Sequence, residues 1–118
     1  MLGVYRLRVG RRINPRLNLE GPLEESSATL EISKSLQGSP IRITVLLRNV
    51  KEPALGKVYT IWAVAPDGVF MKLGGFQAAG QIYLEAPLKE FGLLLTLEDR
   101  PNALEPSGPR IGFAEPLK

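Results

Sequence analysis

Apolar and polar residues alternate along most of this chain, and the period is two. In "VYRLRV", Tyr5, Leu7 and Val9 fall on one face and Arg6 and Arg8 on the other, the pattern of a strand with one wet side. "ATLEI" turns Ala28, Leu30 and Ile32 inward against Thr29 and Glu31. "IRITVLLR" sets Ile41, Ile43, Val45 and Leu47 against Arg42, Thr44 and Arg48, and "LLLTLE" sets Leu93, Leu95 and Leu97 against Thr96 and Glu98. Each predicts a half-buried strand. "VYTIWAVA" differs, because Val58, Thr60, Trp62 and Val64 face Tyr59, Ile61, Ala63 and Ala65 across the strand and both sides are apolar. Such a strand is central and covered on its outside by another element. Shorter strands are predicted at "VFMKL", "IYLEA" and "RIGFA".

Breaks recur at short intervals: Gly38-Ser39-Pro40, Pro66-Asp67-Gly68, Gly74-Gly75, Ala79-Gly80 and Ser107-Gly108-Pro109. Regular short strands between Gly/Pro turns predict an all-β, single antiparallel β-sandwich of about seven or eight strands. Asp67-Gly68 supplies residues that tolerate positive φ, as a tight hairpin demands. Trp62, the only tryptophan, is expected to fill space between the two sheets, with packing alone accounting for it. Tyr59, Ile61, Ile43, Val45, Leu93, Leu95 and Leu97 complete the expected core. Residues 11–27, with Pro15 and a Gly21-Pro22 break, read as a long connection or arm. "SATLEISKSL" and "APLKEFGLLL" could each hold a helical turn.

At 118 residues the chain is one domain, 1–118, large enough for a packed core. It contains no run of 18 apolar residues, and its start is charged where an export signal is apolar. As written it is expected to be cytoplasmic, or else a fragment of something longer. Cysteine and histidine are both absent, which removes disulfides, thiolate and imidazole nucleophiles or bases, and nearly every zinc site. No cofactor is expected. Net charge is +3, yet residues 1–16 hold Arg6, Arg8, Arg11, Arg12 and Arg16 with no acid, and the remainder has ten basic and twelve acidic residues. The five arginines are therefore the candidate contacts for an anionic partner, nucleic-acid phosphate or a membrane surface. No aromatic stacking platform interleaves with them, and a charged edge strand that resists edge-to-edge pairing explains them as well.

Catalytic constellations are sparse. Glu98-Asp99 closes a strand just before Arg100-Pro101 and is read as the solvated start of a loop rather than a cation or hydrolytic site. The serines have no imidazole to activate them, and none lies in a G-x-S-x-G elbow. Gly74-Gly75 lacks the following Lys and helix of a phosphate loop. The chain is expected not to be an enzyme.

From residue 41 onward the order of motifs resembles the C-terminal domain of RskA-type anti-sigma factors. "VLLRNVKEPALGKVYTIWAVAPDGVFMKLGGF" has a strand ending in a Pro/Gly loop, then Tyr59-x-x-Trp62, an Asp-Gly hairpin, and Leu73-Gly74-x-Phe76. "LLLTLE" followed by "EPSGPRIGFAEP" is similar to the family's strand ending in Glu, its Pro-x-Gly-Pro turn and its last strand. The likeness spans residues 41–116, and residues 1–27 supply the basic N-terminal strand and connection. It implies an Ig-like sandwich outside the membrane, with a regulatory or sensory role, that touches proteins or envelope components. The family's domain is joined through a membrane helix to sigma-binding helices. Neither is in this sequence, so the chain by itself is not expected to sequester a sigma factor. "DRPNALEP" replaces the family's Gly-rich stretch after the Glu, and Tyr59 and Trp62 carry over as core positions only.

Overall fold

In the computed structural model, residues 11–13, 15–34, 41–87 and 90–117 are described. They form nine strands: β1 (Arg11–Ile13), β2 (Asn18–Leu19), β3 (Ser27–Lys34), β4 (Ile41–Arg48), β5 (Val58–Val64), β6 (Phe70–Phe76), β7 (Gly80–Ala86), β8 (Phe91–Glu98) and β9 (Arg110–Leu117). A single 3-10 turn, Gly21–Leu23, is the one helical element among them. No described helix is long and apolar enough to cross a membrane.

The strands pair antiparallel in two sheets, β1-β3-β4-β7 and β2-β9-β8-β5-β6. Lettered as in immunoglobulin-like sandwiches, β3, β4 and β7 take A, B and E, while β9, β8, β5 and β6 take G, F, C and C′. The expected all-β sandwich is therefore present. Seven of the anticipated strands are found, two short ones are added in the arm, and "VYRLRV" lies outside the described residues. Neither stretch considered for a helical turn shows one over its described residues: 27–34 is strand, and 86 and 91–95 are strand on either side of a break that includes Pro87 and Glu90.

Period-two patterning does the folding work. In β4 burial alternates residue by residue, with Ile41, Ile43, Val45 and Leu47 inward. Leu30 and Ile32 from β3, Leu84 and Ala86 from β7, and Tyr59, Ile61, Ala63, Leu93, Leu95 and Ile111 from the facing sheet join them in one core cluster. Leu97 is half-buried against it. The arm is a clasp rather than a loose connection. It pairs with β3 through β1 and with β9 through β2, and it drops Leu23 fully into the core.

Local chemistry sets the connections. The β5–β6 hairpin closes with Gly68 donating to the Ala65 carbonyl, Ala65 to the Val69 carbonyl, and Val69 to Asp67 Oδ1. Of the Asp-Gly pair only Gly68 takes positive φ, at 87°, the arrangement of a type I turn followed by one left-handed glycine. Gly74 has a packing reason: a Cβ there would lie 2.8 Å from Leu84 Cδ2, where β6 and β7, the last strands of the two sheets, meet. Tyr59 spans the core, its ring 5.1 Å from that of Phe76 and its hydroxyl donating to the Lys51 carbonyl at 2.5 Å.

A strapped tryptophan and an open groove on one sheet face

Trp62 is wholly buried, yet it lies outside the inter-sheet cluster. Tyr59, Ile61 and Ala63 occupy the inner face of β5, so alternation turns Trp62 to the outer face of the five-stranded sheet. This corrects its expected place between the sheets. The element that covers the outside of β5 is the long β8–β9 connection, residues 99–109.

The strap is held at both ends. Lys72, which pairs with Trp62 across β5 and β6, donates to the Pro101 carbonyl, and Leu97 donates to the Pro109 carbonyl. Between β6 and β8 lies β5, and thus Trp62. The indole Nε1–H donates to Thr96 Oγ1 at 2.9 Å, and the Thr96 hydroxyl donates to Glu98 Oε2 at 2.5 Å. Glu98 also accepts from the Ser107 hydroxyl at 2.7 Å and from the backbone N–H groups of Ser107 and Gly108 at 3.2 Å. Gly108 is required by contact: a Cβ would come 1.7 Å from the Leu97 carbonyl oxygen.

Glu98 is therefore not the solvated start of a loop. Its side chain is fully buried, and only Asp99 is exposed, paired with Lys57 at 3.6 Å. Burial alone would raise the Glu98 carboxyl. The hydrogen bonds from Thr96, Ser107 and Gly108 outweigh it and hold the group below the usual glutamate range. All four of its acceptor positions are directed at protein donors. Such a carboxylate ties backbone together and has no lone pair turned towards a substrate. No buried side-chain nitrogen or oxygen among the described residues lacks a partner, and none of their acidic residues cluster in a way that would hold a metal.

At its other end the same sheet face is open. A groove of about 560 Å³ lies over β5, β8 and β9, with Val64, Phe70, Gly92, Leu94 and Phe113 among its lining residues. Gly92 stands opposite Val64 in the ladder, and its missing side chain leaves room above the sheet. Arg110 forms one rim. Its guanidinium stacks 4.5 Å above the Phe113 ring, and its Nε donates to Glu20 Oε1 at 2.5 Å. With that charge already partnered, the groove presents mainly apolar surface.

The arginines proposed from sequence are distributed differently. Arg6 and Arg8 lie outside the described residues. Arg11 and Arg12 are on β1, opposite Lys34 and Ser33, and Ser33 in turn pairs with Arg42. Arg16 is exposed beyond β1. Among the described side chains, that of Arg16 does not line the groove. No family model, no curated protein and no solved structure matches the chain.

Proposed function

We propose that this chain is a non-enzymatic protein-interaction domain of regulatory or sensory type, akin to the outer domain of an anti-sigma factor. The groove over β5, β8 and β9 is its receiving surface. The supporting observation is that an apolar trough of ligand-binding size stays open on a sheet face whose other half the chain covers with its own strap. Phe70, 45% exposed at the groove's edge, is a large ring that folding leaves available. Burying the exposed remainder of the ring with apolar side chains of a partner would supply roughly 1 kcal/mol, under half of what full burial of a phenylalanine gives.

A photo-crosslinking amino acid at Pro66 in native cells, followed by purification of the trapped protein and calorimetric titration, tests this reading. Phe70→Ser is expected to weaken binding about fivefold, with a modest fall in Tm from the part of the ring that already packs on the sheet. Absence of any trapped protein, or equal affinity of the variant, contradicts it.

The alternative is a β-sandwich that holds nucleic acid or an anionic surface through Arg6, Arg8, Arg11, Arg12 and Arg16. The exposure of Arg16 and the two arginines on the terminal strand of a sheet favour it. Salt-dependent retention on heparin that Arg→Ala changes at 11, 12 and 16 abolish supports this reading. Retention indifferent to salt refutes it.

A further inference from the structure

The groove lies at one pole of the sandwich, and the chain enters the fold from that same pole. Leu47 pairs with Gly80 and Tyr59 with Phe76, and only residues 77–79 join Phe76 to Gly80. Those ends of the two sheets therefore lie together. The opposite pole holds Ile41 and Ala86 of one sheet, and Val64, Phe70 and Gly92 of the other. Arg11 pairs there with Lys34, the last residue of β3, so the chain runs into β1 from beyond this pole. Residues 1–10 are thus attached beside the groove.

The path from β1 to the groove is short and open. β1 and β2 are edges of the two sheets joined by residues 14–17. β2 pairs with β9 at Gly112 and Phe113 alone, and among the described residues no strand pairs with the outer edge of β9 from Ala114 onward. Crossing from β1 over that edge to β8 takes about 20 Å, one sheet separation and two strand spacings. An extended chain gains about 3.3 Å per residue, which brings Leu7 to the rim over β9 and Tyr5 to the middle of the trough.

The chemistry of the two parts is complementary. Tyr5, Leu7 and Val9 alternate with Arg6 and Arg8, and residues 1–10 contain no acid. Period two gathers the apolar residues on one face. The trough offers Val64, Leu94 and Phe113 with the half-exposed ring of Phe70. The stretches that line it, 64–70, 90–94 and 110–115, carry Asp67, Glu90 and Glu115, all exposed. Their one cation, Arg110, is already paired with Glu20. An apolar floor with acids around it suits an apolar strand that carries arginines.

We propose that the occupant of the groove is the chain's own N-terminal segment, with Tyr5 and Leu7 in the trough and Arg6 and Arg8 turned to the surrounding acids. The proposal rests on the reading of the groove as a receiving surface and adds its regulation: a partner binds by displacing the segment. A tether this short keeps the segment at an effective concentration on the order of millimolar, which any free ligand has to overcome.

Benzoylphenylalanine in place of Tyr5 in the full chain, irradiated and mapped by mass spectrometry, tests the proposal. Adducts are expected on Phe70, Leu94 and Phe113, and none on Tyr83, which is exposed on the other sheet. In a mixture of isotope-labelled and unlabelled chains, each adduct should lie within one chain. Leu7→Ser, and separately Arg6→Glu with Arg8→Glu, should each cut the groove adducts at least about twofold. In native cells, Leu7→Ser should raise capture of a partner from a crosslinker at Pro66. Adducts spread over both sheets, adducts joining two chains, groove adducts unmoved by either variant, or capture at Pro66 unmoved by Leu7→Ser overturn the proposal. Joined chains name a second copy as the occupant instead. If a partner is trapped from Pro66 while Tyr5 attaches elsewhere, the receiving-surface reading stands and the segment's role falls. If Tyr5 attaches to the groove and no partner is trapped even in Leu7→Ser, the segment is the occupant and that reading falls.

Discussion

Replacing Glu98 by Gln keeps the shape of the side chain and removes its charge. Four donors converge on the carboxylate: the hydroxyls of Thr96 and Ser107 and the backbone N–H groups of Ser107 and Gly108. With the Gln oxygen in the place of Oε2, both backbone N–H groups and the Thr96 hydroxyl keep their acceptor, and the Ser107 hydroxyl can rotate to accept from the new amide nitrogen. What is lost is the charge assistance of these bonds, about 1.5 kcal/mol in all. With a urea slope of about 1.5 kcal/mol/M, the unfolding midpoint falls by about 1 M. The pH dependence provides a second check. Because the folded carboxyl lies below the unfolded one, the unfolded chain binds more protons as pH falls. The stabilisation from Glu98 is complete above the unfolded value of about 4.3 and is lost as pH drops through the lower folded value. The gap between wild type and variant should close over that window. A midpoint shift of under about 0.3 M, or a gap that widens in acid, refutes the reasoning.

Gly108→Ala should destabilise by about 3 kcal/mol, read as a lower Tm, because the new methyl meets the Leu97 carbonyl rather than a side chain that can yield. Tyr59→Phe removes the hydroxyl bond to Lys51 and should cost about 1 kcal/mol in urea denaturation. Burial raises the Tyr59 phenol above its ordinary value, so an alkaline absorbance titration should show a late-ionising tyrosine that this variant eliminates. Phe70→Ser should lower Tm only modestly, because part of its ring is already buried, while the loss of the exposed part weakens capture at the groove.

The architecture was legible because the strands obey period two and each turn carries its own chemistry. Ile41 to Leu47 alternate in burial as they alternate in sequence, and Gly68 stands where the hairpin needs a left-handed residue. The doubly apolar β5 correctly signalled that something covers its outer side. The nature of that cover was not legible, since a loop rich in proline leaves no periodic trace. The same gap misplaced Trp62 and misread Glu98. Thr96 and Glu98 look like the wet face of "LLLTLE" until the strap lies over them, and their burial depends on Ser107 and Gly108, nine and ten residues further on. The available signal was the combination of a Trp on the same sheet face and an eleven-residue connection with three prolines to cover it. The arm was likewise hard to read. Leu23 belongs to the core, but a lone leucine between Pro22 and Glu24 has no periodic neighbours. Gly92 gave no hint of the groove, because an empty space above a sheet depends on which strands become neighbours.

Quenching of the single tryptophan by acrylamide tests the strapped outer face most directly. In the wild type Trp62 should emit in the blue and resist quenching. In Glu98→Gln, under conditions where β4 and β8 still protect their amides from hydrogen exchange, emission should shift to the red and quenching should rise as the strap loosens. If Trp62 stays shielded until those amides exchange, it lies between the sheets and the account of this face is wrong.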